Sequence, residues 1–120
     1  MKIDFNKMPC VYWSDVLKVS YLQRQIIIHS ILYYELDSSV ISDKNFDDLS
    51  KQLVKMQKEL TKEEFDRTDY SYCMEDFDGS TGFDLYGRLT KKDKKRLTEY
   101  AKYILRLSQK ERKRNGKKVL

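Results

Sequence analysis

The segment from His29 to Leu49, HSILYYELDSSVISDKNFDDL, constrains the fold more than any other part of the chain, because it joins two strong helical patterns through a short turn. Upstream of it, Ser14 offers an N-cap with Asp15 in the first turn, and Val16, Val19, Leu22, Ile26, His29 and Tyr33 recur at spacings of three and four. A second apolar row, Ile27, Ile28, Ile31 and Leu32, widens the stripe. The spacing predicts a helix over about 15–36 that is buried on more than one side and forms the spine of the domain. Asp37, Ser38 and Ser39 compete for backbone hydrogen bonds and favour a turn. Ser42 can then cap a second helix over about 43–60, on which Phe46, Leu49, Leu53, Met56 and Leu60 keep the helical period. So short a connection makes the two helices antiparallel neighbours.

The remaining elements build outward from this hairpin. Residues 1–13, with Pro9 in their middle and no helical period, read as an extended arm. Phe5, Met8, Val11, Tyr12 and Trp13 are too apolar for a free tail and are expected to lie over the helices. Thr61 followed by Glu64 is a capping-box signature for a short third helix to about Arg67. Residues 68–89 read as an acidic, Gly-rich loop with one helical turn at most, and Thr90 caps a last long helix over about 91–113. Leu97, Tyr100, Ile104 and Leu107 form its apolar stripe, and Asn115-Gly116 is a stop signal. With no internal repeat and no strand-period segment, the expectation is one all-α domain over 1–120, with 14–67 as the hairpin region and 90–120 as a basic helix and tail.

A net charge of +5 conceals a division along the chain. Residues 1–90 carry 11 Lys and Arg against 16 Asp and Glu, a balance of −5, whereas residues 91–120 carry 13 against 3, a balance of +10. A basic segment of this kind attracts phosphate backbones or an acidic protein face, or is simply a solvated helix face. Lys91, Lys92, Lys94, Lys95, Arg96, Lys110, Arg112, Lys113 and Arg114 are its candidate contact residues. No apolar run is long enough to span a bilayer and the N-terminus lacks a signal-peptide core, so the expected compartment is the cytoplasm. Cys10 and Cys73 lie far apart without CxxC spacing, and His29 is the only histidine, so the usual zinc ligands do not assemble and the cysteines read as buried free thiols.

The chemistry gathers at the hairpin. Asp43, Phe46 and Asp47 fall at i, i+3 and i+4 near the N-terminus of the second helix, and Tyr33 and Asp37 stand at i and i+4 at the end of the first. Aromatic faces flanked by carboxylates suit a flat, positively charged ring such as oxidised nicotinamide, with the carboxylates accepting from ribose hydroxyls or an amide. On spacing alone the plainer reading is that Tyr33 and Phe46 pack the hairpin and Asp47 is solvated.

Written as Y-Y-x-x-D-x-x-x-I-S-D-x-x-F-D-x-L, Tyr33 to Leu49 resembles the N-terminal Ia domain of bacterial NAD-dependent DNA ligases, over roughly residues 20–60. In that family the hairpin holds the nicotinamide mononucleotide half of NAD. The resemblance implies that Tyr33 and Phe46 sandwich nicotinamide, that Asp43 and Asp47 are the acidic contacts, and that Tyr34 takes a place where the family uses His or Tyr. Phe46 stands where the family has Tyr, which keeps a stacking face and loses a hydroxyl. Ser39 stands where it usually has Pro, which makes the turn less rigid.

Ligases also need a nucleotidyltransferase domain with a Lys-x-Asp-Gly motif, and these 120 residues contain none. His29 lies within an apolar helical pattern and no Ser/His/Asp or Cys/His set is readable, so no enzyme activity is expected. The tract Asp76 to Thr81 lacks the offsets and closing Glu of a calcium loop, and Gly79-Ser80-Thr81-Gly82 lacks the Lys of a phosphate loop. A stand-alone domain with an added acidic loop and basic helix resembles small ligase-related proteins of phages and prophages of Gram-positive bacteria. Two functions compete. In the first, which the segregated charge favours, the chain is a non-catalytic binding protein. It acts on a host or phage nucleic-acid-processing protein, for instance as an anti-CRISPR-like inhibitor of a bacterial defence nuclease, with nucleic acid itself a further partner for the basic helix. In the second, the pocket survives and binds nicotinamide mononucleotide or NAD as ligand, with no cofactor required for chemistry.

Overall fold

Helix α1 (Asp15–Ser30) starts where the Ser14 hydroxyl accepts from the Leu17 N–H, and it buries Val19, Leu22, Ile26, Ile27 and Ile28 completely. The computed structural model describes residues 2–8, 12–80 and 82–119, with side chains through Lys113. Pro9, Cys10 and Val11 of the expected arm, Thr81 of the Gly-rich turn and the Arg114 side chain lie outside these. Beyond Ser30 the chain stays helical through Ile31–Glu35, but as a π-helical turn whose Leu36 N–H reaches back to the Ile31 carbonyl at 3.0 Å. The i→i−5 bond places one extra residue in the turn and shifts the phase of the side chains that follow. Ile31 and Leu32 remain in the core, whereas Tyr33, read from its spacing as part of the buried row, is 53% exposed. Asp37 then takes φ +47°, a left-handed conformation that a short polar side chain tolerates, and Ser38 N–H closes the turn on Leu32 O at 2.8 Å.

Helix α2 (Asp43–Glu59) is capped by the Ser42 hydroxyl, accepting from Asn45 N–H, and returns antiparallel to α1 with Leu49 and Leu53 in the shared core. Helix α3 (Lys62–Asp66) carries both bonds of the Thr61/Glu64 capping box. The region 68–89 is more structured than a loop: it forms two four-residue helices, α4 (Ser71–Met74) and α5 (Leu85–Arg88), and buries Tyr70, Cys73, Met74, Leu85 and Leu89. Its hydrophobes join the common core individually, a placement with no periodicity to detect. Among the described residues there is no strand, and no helix is long and apolar enough to cross a membrane.

Helix α6 (Lys91–Val119) begins at Thr90, whose hydroxyl accepts from Asp93 N–H, and runs for 29 residues, about 43 Å at 1.5 Å per residue. It passes through Asn115 and Gly116 rather than ending there, because glycine permits a left-handed stop without enforcing one. Its buried side is Leu97 and Ala101, with Ile104 and Leu105 packed against the core, and Ala101 is fully buried. Tyr100 and Leu107, expected in the stripe, are 39% and 44% exposed.

The N-terminal arm is anchored rather than simply extended. It makes a 3-10 turn at Phe5–Lys7, and Phe5, Trp13 and Tyr21 meet edge to face with ring centroids 4.9–5.9 Å apart. The Gln52 side chain of α2 donates to Ile3 O and accepts from Ile3 N–H, both at 3.0 Å. Phe5 is buried, Met8 and Trp13 are half-buried, and Tyr12, expected over the helices, is exposed.

Candidate functional site

The end of α1, the π turn, the 39–41 connection and the first turn of α2 enclose a cavity of about 250 Å³. The side chains Tyr33, Tyr34, Asp43, Phe46 and Asp47, the five positions expected to hold a nucleotide, all line it. The hairpin brings them together for local reasons: the Ser42 cap sets where α2 begins and so puts Asp43, Phe46 and Asp47 on one face, and the π turn releases Tyr33 from the core face of α1. Asp43 and Asp47 are exposed, the latter paired with Lys51 at 2.9 Å within α2. Tyr33 and Tyr34 meet edge to face at 4.8 Å, and Tyr34 meets Phe83 in the same way at 5.3 Å.

Six further residues complete the wall: His29, Ser30, Ser39, Val40, Ile41 and Ser80. His29 stands in the last turn of α1, just before the π turn, and its spacing reads as a core position. The residue is half-buried, and this burial holds its pKa below the ordinary histidine value, so the imidazole is neutral at pH 7. The buried Nδ1 atom has no hydrogen-bond partner among the described residues. A buried polar atom left unpaired is costly, and Trp13 Nε1, Ser50 Oγ and Thr98 Oγ1 are in the same state. Ser80 and Phe83 come from the 76–84 stretch, far away in sequence, and no local pattern connects them to the hairpin.

That stretch is held by its own polar contacts. Arg88 bridges Asp76 and Asp84, and Asp78 accepts from both the N–H and the hydroxyl of Ser80. These exposed carboxylates are drawn below the usual range at Asp76 and Asp78 by the hydrogen bonds from Arg88 and Ser80 respectively. Among the described residues no three His, Cys, Asp or Glu side chains converge in a way that could hold a metal ion.

The basic residues of α6 separate into different roles. Lys91, Lys92, Lys95, Lys110 and Lys113 are exposed. Lys94 instead lies over the Tyr86 ring at 5.2 Å, and Arg96 donates to the Tyr70 hydroxyl at 2.9 Å and pairs with Asp93. Arg112 extends in another direction, donating from Nη2 to the Ser39 carbonyl at 3.4 Å across 73 residues of sequence. Ser39 is one of the residues that line the cavity, so α6 is tied to the cavity wall through Arg112.

A DNA ligase of Endomicrobium trichonymphae is 40% identical to this chain over 42 residues, 35% of the chain and 6% of the ligase. No protein-family model matches the chain, and no solved structure matches it. The chain spans a small fraction of that ligase, and what the two share is a short segment of similar sequence.

Proposed function

We propose that the hairpin cavity binds nicotinamide mononucleotide, free or as half of NAD, and that these residues serve recognition rather than catalysis. One observation carries this reading: Tyr33, Tyr34, Asp43, Phe46 and Asp47, which come from two helices, line the same cavity. Aromatic faces attract a pyridinium ring by about 0.5–2 kcal/mol, depending on how far the site is desolvated. Asp43 and Asp47 add attraction for its positive charge and accept from ribose hydroxyls. A cavity of about 250 Å³ is slightly below the usual range for small-molecule sites, about 300–1,000 Å³, and suits a ring with its sugar better than a whole dinucleotide. The similarity of a short segment to a DNA ligase supports the same reading.

Calorimetric titration with nicotinamide mononucleotide and, separately, with NAD tests it. Saturable binding is expected for both, weakened at least tenfold in the Asp43→Ala/Asp47→Ala double variant. An unchanged affinity in that variant, or no heat from a folded sample, removes the pocket from consideration.

A second reading is favoured by the exposed face of α6, where Tyr100, Tyr103 and Leu107 lie on a helix rich in Lys and Arg. On this reading α6 contacts a protein that processes nucleic acid, or the nucleic acid itself, in a host or phage context that includes inhibition of a defence nuclease. Any affinity for duplex DNA should then fall steeply with salt, with a log–log slope near −0.9 per neutralised phosphate. Affinity insensitive to salt would leave α6 as a solvated face.

A further inference from the structure

The cavity has an electrostatic gap. Among the described residues that line it, two are carboxylates and none is Lys or Arg, while the one titratable nitrogen, on His29, is held neutral by burial. Such a lining attracts a pyridinium and repels a phosphate, yet a nucleotide presents both a few ångströms apart. One basic side chain from outside the hairpin is bonded to the cavity wall. Arg112 of α6 donates to the carbonyl of Ser39, a residue of the cavity wall, at 3.4 Å. A guanidinium carries five N–H donors in a planar fork, so one bond to a carbonyl does not exhaust it, and the fork matches phosphate oxygens in a bidentate manner. We propose that Arg112 is the phosphate-binding residue of this site, so that α6 completes a pocket that recognises a nucleotide monoester rather than a nucleoside. The proposal rests on the nicotinamide reading above and deepens it. It also gives one basic residue of α6 a role different from that of the others. Lys91, at the far end of the helix, is about 31 Å along the axis from Arg112 and cannot share it.

The test is calorimetry with two probes, nicotinamide mononucleotide and nicotinamide riboside, on the full chain and on Arg112→Ala, Arg112→Lys and Lys91→Ala. Arg112 is exposed, so its removal leaves the core intact. The wild-type protein is expected to prefer the mononucleotide by about tenfold, the scale of one charge-assisted hydrogen bond. Arg112→Ala should abolish that preference by weakening the mononucleotide alone, with riboside affinity unchanged. Arg112→Lys should recover part of it, since a point charge remains while the fork is lost. Lys91→Ala, which removes the same net charge, should change neither ligand. If riboside binds but Arg112→Ala alters both ligands equally or neither, the assignment of Arg112 is overturned. It is overturned too if Lys91→Ala matches the effect of Arg112→Ala. If neither ligand binds the wild-type protein, the nicotinamide reading itself falls and takes this assignment with it.

Discussion

Gly82 lies so close to Ser30 that a Cβ placed on it would come within 1.9 Å of the Ser30 hydroxyl. Ser30 is buried, lines the cavity and donates to Ile26 O at 2.8 Å, so the hydroxyl is not free to swing away without losing that bond. This contact seats the 76–84 stretch against the end of α1 and thereby brings Ser80 to the cavity. Gly82→Ala is expected to cost about 1–3 kcal/mol by overpacking, read as a lower urea midpoint. In a Ser30→Ala background, where the nearest remaining atom is the residue-30 Cβ at 3.0 Å, the penalty should shrink. Equal penalties in both backgrounds would show that the clash is not what Gly82 avoids.

Gln23 joins three parts of the chain from a fully buried position. Its Nε2 donates to Gln57 Oε1 and Thr68 Oγ1, each at 3.0 Å, and its Oε1 accepts from Tyr70 N–H at 3.1 Å. Gln23→Leu should destabilise by about 1–3 kcal/mol, because it strands a buried backbone N–H. Gln57→Leu, which removes a half-buried partner, should cost less. A urea titration in which the two variants lose equal stability would contradict this ranking.

His29 makes stability depend on pH. Its folded pKa lies below the unfolded value of about 6.5, so between those two values the unfolded chain binds more protons and stability rises with pH. The folded protein is therefore expected to lose stability on acidification from pH 7 toward pH 5. His29→Gln should flatten that part of the profile. Parallel curves for the two proteins across this range would mean that protonation of His29 is not coupled to folding.

Cys73 is buried, and desolvation pushes its thiol up to about 11, far from the thiolate needed for reaction at neutral pH. In a Cys10→Ser background, alkylation at pH 8 should proceed at the rate of unfolding in native buffer and rapidly in urea. Fast modification of the native protein would show that the α4 region opens far more readily than its packing suggests.

The elements legible in the sequence were those governed by neighbours three or four residues apart. Ser14, Ser42 and Thr61 all cap the helices expected of them. The positions Asp43, Phe46 and Asp47 share one face through the period of α2, and a short turn sets them opposite the end of α1, where the π turn, which no spacing announced, frees Tyr33 to join them at the cavity. The register of α6 was less legible: Leu97, Tyr100, Ile104 and Leu107 are all apolar, but close packing selects the small Ala101 and turns Tyr100 and Leu107 outward. The helices α4 and α5, at four residues each, are too short to show a period and exist because Met74 and Leu85 are buried by other elements.

The sequence by itself determined the helical hairpin, its caps and the face that carries the aromatic and acidic residues, because each depends on hydrogen bonds and side-chain spacing within a turn or two of helix. Only the tertiary structure decided that Ser80 joins the cavity wall, that Gly82 abuts Ser30 and that Arg112 bonds the Ser39 carbonyl. These contacts span dozens of residues, and what sets them is the packing of α5 and α6 against α1, for which no local period carries a signal.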